Sequence, residues 1–180
     1  MGRIRLAAGS GLAIRPPVLG IFTRFAPHPT SLELSRIACG SPDLVVVTNG
    51  LHTALELSFC EGITTIVLGG TVHRRSSSLV GSLNDELTQR LRIDIGFFGA
   101  RGVTARDSLM ETDLDEAQLK QRMVKAANTV VGLVDASKCG AKFFSVFALP
   151  EEIDRIITDG RTPASIASEL RSRNIGVDLV

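Results

Sequence analysis

The run Val130 to Val134 is apolar throughout and stops abruptly at Asp135, with Lys138 only three residues further on. A buried strand that ends in a carboxylate and an ammonium places both where open parallel sheets hold their ligands, beyond the carboxyl ends of the strands. Four other apolar runs end in similar clusters: Thr48-Asn49-Gly50, Gly69-Gly70, Gly99-Ala100-Arg101-Gly102 and Thr158-Asp159. Glycine lets backbone N–H groups approach an anion closely, and Thr, Asn, Lys and Arg are its usual donors. Gathered on one edge, these residues suit a phosphorylated small molecule. Taken singly, each is also an ordinary turn, because turns draw on the same residue types.

Other chemistries lack their signatures. The chain has no GxxxxGK[ST] phosphate loop, and "GARGVTARDS" is not a GxGxxG dinucleotide fingerprint. His28, His52 and His73 show no metal-ligand spacing, so no metal and no cofactor is expected. Gly81-Ser82 is not a nucleophile elbow, and Cys139 reads as a bland neighbour of Lys138 rather than a nucleophile. No residue is assigned a catalytic role.

The elements that must position these clusters alternate along the chain. "DLVVVTN", "TTIVLGG", "IDIGFFGARG", "VVGLV", "RIITD" and "IGVDLV" read as strands, mostly buried on both faces. Between them, "LHTALELSFC", "GSLNDELTQRL", "DLDEAQLKQRMVKAA" and "TPASIASELRSR" read as helices, and "TSLELSRIA" as one before the first strand. Acids crowd the first turn of the third, where the helix dipole favours them. Thr162 is the expected cap and Pro163 the expected first residue of the last. The pattern specifies an α/β fold, a mostly parallel sheet with helices on both faces. Residues 1–20 read as a poorly defined leader and 21–180 as a single domain.

A net charge of +1 supplies no field to draw nucleic acid or an anionic membrane. Only four of the twenty basic residues are Lys, which makes Lys120 and Lys138 noticeable inside motif-like stretches. Three cysteines without CxxC spacing suggest neither a disulfide framework nor a zinc site, and a reducing cytoplasm fits. "KFFSVFALP" reads either as core or as a subunit contact.

Read together, "LVVVTNGLHTALEL", "IVLGGTVHRRSSSLVGSL", "IDIGFFGARGVTARDSLMETDLDEAQLKQRMVKAA", "VVGLVDASKCG" and "IDRIITD" resemble the C-terminal sensor domain of the DeoR family of bacterial transcriptional regulators. The resemblance implies an effector-sensing domain whose ligand is a phosphorylated sugar or related metabolite. It also implies a homo-oligomer, with DNA reached only through a helix-turn-helix that residues 1–29 do not spell. That family is in turn similar in fold to ribose-5-phosphate isomerase and the CoA-transferase-like proteins. The isomerase shares "DASK" and carries its proton-transfer base fifteen residues earlier, a position held here by Lys120. A lysine on an exposed helix face donates to anions and is a poor base. Glu116, one turn away, is placed to pair with it.

The resemblance assigns phosphate or sugar contacts to Thr48 and Asn49, with backbone help from Gly50 and Gly99. Lys120 and Lys138 neutralise charge, and Asp135 orients Lys138 or accepts a sugar hydroxyl. Arg101, Glu116 and Thr30 complete the expected effector site. The family's Asp-x-Gly-Thr-Thr loop is altered here: Ala26 replaces the Asp, His28 the Gly and Pro29 the first Thr, leaving Thr30. Ser108 stands where the family prefers Gly. Two alternatives remain at this stage. One is an isomerase-like enzyme, with Glu111 or Glu116 as base if the helix is rotated. The other is an oligomerisation module with a degenerate pocket.

Overall fold

The computed structural model describes residues 18–22, 38–39, 43–81 and 85–180. The expected helix at residues 30–38 lies outside them except for Ala38, as do the altered loop and Thr30.

In chain order the strands are β1 Val18–Phe22, β2 Leu44–Thr48, β3 Ile63–Val67, β4 Thr71–His73, β5 Ser78–Val80 and β6 Ile93–Gly99. They continue with β7 Gly102–Thr104, β8 Ser108–Glu111, β9 Ala127–Leu133, β10 Ser145–Ala148, β11 Arg155–Thr158 and β12 Gly176–Leu179. The helices are α1 Leu51–Leu57, α2 Asp85–Arg90, α3 Leu114–Ala126 and α4 Ala164–Ser172.

Seven strands form one sheet in the order β12-β11-β9-β6-β1-β2-β3, and every pairing in it is parallel. Successive side chains on a strand point to opposite faces, and the core divides accordingly. Val47, Phe98, Val130 and Ile156 join α3 and α4 in one cluster, through Ala117, Leu119, Met123, Val124, Ala167 and Leu170. Val46, Phe97, Val131 and Leu133 join Leu57 of α1 and Ala38 on the other face. The α/β class and the helices on both faces are as the sequence specifies.

Three smaller features were not legible. β1 lies at the heart of the sheet between β2 and β6, so a leader boundary at residue 20 falls inside a strand. Its register is pinned where the Val18 N–H donates to Asp94 Oδ2 at 2.8 Å. β10, β8 and β7 form a three-stranded antiparallel sheet, and β4 and β5 form a hairpin. Gly70 (φ +148°) permits that hairpin, because a Cβ there would lie 2.2 Å from the Val80 carbonyl oxygen. The "KFFSVFALP" segment divides: Phe147 is 1% exposed in the core, whereas Phe144 is 83% exposed.

Two expectations are corrected. Cys39 and Cys60 are joined as a disulfide with their Cα atoms 5.2 Å apart, a contact between the approach to β2 and the end of α1 that sequence spacing does not reveal. Cys139 is free and half-buried. Thr162 does not cap α4; Pro163 is the residue before the helix, and the Thr162 hydroxyl meets Thr158 Oγ1 at 2.7 Å.

Ser108 adopts φ +56°, and its buried hydroxyl has no hydrogen-bond partner among the described residues. A left-handed conformation costs a non-glycine residue about 1–2 kcal/mol, against about 0.5–1 kcal/mol for the extra unfolded-state freedom of glycine. Ser108→Gly is therefore expected to raise the melting temperature by about 1–4 °C. Thermal unfolding checks it, and a lowered midpoint would show that the serine is not strained.

Candidate functional site

Because the large sheet is parallel, the carboxyl ends of β2, β6, β9 and β11 share one edge. The register aligns Gly99 with Leu133, and Leu133 with Ile157. The turn at Asp135 therefore emerges beside the Gly99 turn on one side and Thr158-Asp159 on the other. The sequence-expected residues reach this edge in three groups.

The first group is built on β2. The Thr48 hydroxyl accepts the Gly50 N–H at 3.1 Å, closing the turn locally. Asn49 clasps the hairpin: its Nδ2 donates to the Leu79 carbonyl at 3.2 Å and its own carbonyl accepts the Leu79 N–H at 2.8 Å. Gly50 bridges Ser78. From Ser78 the network enters α3, where the Ser78 hydroxyl donates to Glu116 Oε1 at 3.1 Å. Asp113 caps this helix by accepting the Glu116 N–H at 3.0 Å, and Asp115 and Glu116 occupy its first turn.

His73 of β4 completes the group. Its Nδ1 lies 2.6 Å from Ser76 Oγ and 3.4 Å from Glu116 Oε1, and its Nε2 lies 3.2 Å from Asp113 Oδ2. Hydroxyl, imidazole and carboxylate thus stand in a row, the arrangement that activates a serine nucleophile in hydrolases. Here the hydroxyl of Ser76 is the buried end, 1% exposed, and also meets Ser78 Oγ at 2.7 Å. The row fastens the hairpin to the start of α3 and presents no nucleophile.

The second group is centred on Lys120, which the sequence reading puts on an exposed helix face. The structure buries it to 2% exposure, because the three-stranded sheet of β7, β8 and β10 packs over that face of α3. Its partner is not Glu116. The Lys120 ammonium donates to Glu111 Oε1 at 2.5 Å and to the Gly99 carbonyl at 2.7 Å, and stands 5.2 Å from the centre of the Phe147 ring. Glu111 arrives from β8, so no rotation of the helix is involved in bringing a carboxylate to this position. The arrangement ties three elements together: α3, β8 and the end of β6.

The third group is Asp135 and Lys138. Asp135 caps a single 3-10 turn, Ala136–Lys138, accepting the Ser137 N–H at 2.8 Å and the Ser137 hydroxyl. Lys138 Nζ lies 3.9 Å from Asp135 Oδ2, beyond hydrogen-bond distance, and its side chain is 26% exposed. Lys120 and Lys138 thus have different carboxylate partners. Arg101 is half-buried; its backbone N–H donates to the Met110 carbonyl at 2.9 Å, while Nε is buried without a hydrogen-bond partner among the described residues.

Asp159, which the sequence places in a cluster but not in the site, supports this third group. Its Oδ2 accepts the Ala136 N–H at 2.8 Å and its Oδ1 accepts Arg161 Nε at 2.9 Å. The Arg161 guanidinium, followed by the Ala136 N–H, holds the Asp159 carboxyl well below its ordinary value of 3.8. A depressed folded-state value stabilises the fold above the unfolded value and loses that contribution as pH falls through the folded one. The difference in melting temperature between wild type and Asp159→Asn is therefore expected to be complete near pH ~6 and to shrink below pH 3.8. A difference independent of pH over that range would show that the carboxylate charge is not what holds the turn.

His73, Ser76, Ser78, Asp113 and Glu111 were missed as partners. Ser76 lies in the turn between β4 and β5 and Ser77 has φ +49°, so no strand alternation marked the meeting of the Ser76 and Ser78 hydroxyls.

Among the described residues, no His, Cys, Asp or Glu cluster is arranged to hold a metal ion, and no helix is long and apolar enough to cross a membrane. The family described as the DeoR C terminal sensor domain matches residues 29–160. The HTH-type transcriptional regulator GolR of Listeria innocua is 31% identical over 150 residues, 83% of this chain and 59% of that protein. The HTH-type transcriptional regulator GlpR of Haloferax volcanii is 34% identical over 82% of this chain and 58% of its own length. The glycerol-3-phosphate regulon repressor of Escherichia coli K12 is 28% identical, over 76% and 54%. The chain thus spans just over half the length of these relatives. The parallel sheet, the clusters on its carboxyl edge and a match across most of the chain lead to one conclusion: this protein belongs to the DeoR C-terminal sensor domain family.

Proposed function

We propose that this chain senses a phosphorylated sugar or related metabolite on behalf of a cytoplasmic transcriptional regulator. The observation that carries the reading is the convergence of the β2, β6 and β9 turns on one sheet edge, where Lys138 is a partly exposed cation whose ion pair among the described residues is a 3.9 Å contact with Asp135. An ammonium so loosely engaged is available to an incoming anion; Thr48, Asn49 and Gly50, whose donors are committed within their own turn and to the hairpin, shape the same edge, and Thr30 is a further contact in this proposal. Lys120 is already engaged by Glu111 and Gly99, so we assign it to positioning the Gly99 turn rather than to charge neutralisation. The name of one relative, the glycerol-3-phosphate regulon repressor, supports a phosphorylated metabolite as effector.

The protein is not an enzyme in this reading. Glu111, the carboxylate nearest the isomerase's base position, is fully buried and bound to Lys120, so it cannot reach a substrate proton. The regulator is a homo-oligomer, for which Leu55 and Phe59, 59% and 80% exposed, supply apolar surface. A thermal-shift panel of sugar phosphates beside the matching free sugars, with an isomerase assay in parallel, tests the reading. Stabilisation by phosphorylated members alone, without turnover, is the expected result; stabilisation by none of them, or turnover, would overturn it.

A further inference from the structure

We propose that the Cys39–Cys60 bridge is a reversible redox modification site, and that its state sets the stability of the unit that carries the Thr48–Gly50 turn. The two cysteines are 21 positions apart, and the loop they close contains β2, the turn and α1. The Thr48–Gly50 turn lies within this loop and on the carboxyl edge of the sheet, so opening the bridge loosens that part of the edge. The compartment comes from the functional reading above: a regulator working on DNA inside a cell meets a thiol-reducing environment, where a disulfide is characteristically transient and redox-sensing. Exposure assigns the roles. Cys39 is exposed and open to small thiols and disulfides, whereas Cys60 is half-buried.

The chemistry balances with a small-molecule disulfide as oxidant. The Cys39 thiolate attacks one sulfur of oxidised glutathione, forming a mixed disulfide and expelling one glutathione thiolate. The Cys60 thiolate then attacks the Cys39 sulfur, forming the intramolecular bridge and expelling the second. Two protein thiols lose two protons and two electrons, and one glutathione disulfide becomes two glutathione thiols. Excess dithiol runs the exchange backwards.

Closing a loop of this length removes chain entropy from the unfolded state. The bridged protein is expected to melt about 6–12 °C above the reduced one. Backbone amides of residues 44–57 should exchange at least about tenfold faster after reduction, with those of β9 unchanged. The experiment equilibrates the full chain with oxidised glutathione, then measures mass after alkylation, melting temperature and hydrogen exchange, before and after dithiothreitol. Loss of the mass of two hydrogens, mapped to a Cys39–Cys60 peptide pair and reversed by the dithiol, is expected in wild type and in Cys139→Ser. Cys39→Ser, at an exposed position, should fold and show no response. Three alkylatable thiols after equilibration would overturn the proposal, as would a bridge whose reduction moves neither melting nor exchange. None of these readouts needs an effector, so the outcome is independent of whether a sugar phosphate binds.

Discussion

Replacing Lys120 by alanine is expected to cost about 3–5 kcal/mol of folding stability, the penalty for leaving one member of a buried ion pair without its partner. Glu111 and Lys120 are both essentially closed to solvent, so neither charge has water to fall back on. Removing the ammonium strands the Glu111 carboxylate and also the Gly99 carbonyl, and withdraws the cation from beside Phe147. The loss should appear as a fall in melting temperature of about 6–20 °C. Replacing both charges by apolar or neutral groups of similar volume, Glu111→Gln with Lys120→Met, should recover most of it, because the cost comes from the unpaired charge. Urea unfolding of the two single variants and the double one checks the argument. Equal destabilisation of single and double variants would mean that packing around Phe147 dominates instead.

Lys138→Ala should weaken binding of a phosphorylated effector about tenfold to hundredfold, the loss of one charge-assisted hydrogen bond worth about 1.5–3 kcal/mol. The same change should leave folding almost untouched, because a partly exposed pair at 3.9 Å, beyond hydrogen-bond distance, contributes under about 1 kcal/mol. The two lysines thus separate cleanly: one variant should lose stability, the other should lose affinity. Calorimetric titration alongside thermal unfolding of each variant reads both quantities. Unchanged affinity in Lys138→Ala would remove Lys138 from the site.

The sheet was legible because runs such as Leu44–Val47 and Val130–Val134 are apolar on both faces, a pattern that amphipathic helices and half-exposed strands do not produce. β1 was not. Pro16 and Pro17 precede it and Gly20 sits inside it, so five residues carry no readable period. Strands of three or four residues, β4, β5, β7, β8 and β10, are too short for periodicity to register. Missing them hid the sheet that covers α3, and with it the burial of Lys120. Periodicity shows that Lys120 shares a helix face with Met123 and Val124, yet polarity argues for solvent; tertiary packing decided in favour of the face. The Glu111–Lys120 pair and the Cys39–Cys60 bridge escaped for a different reason, since each depends on a contact between segments that are not helical or strand neighbours. That the clusters share an edge was readable because a parallel sheet sends every carboxyl end to one side, whatever its loops do afterwards.

On the proposal made above, this edge recognises a phosphate group carried on a small metabolite. Its most direct test is calorimetric titration of the protein with the sugar phosphate that stabilises it best in the thermal panel, beside the same sugar without its phosphate. Saturable binding of the phosphorylated compound, with none for the free sugar, is the predicted result. Equal affinity for the two, or binding of the free sugar alone, would contradict it.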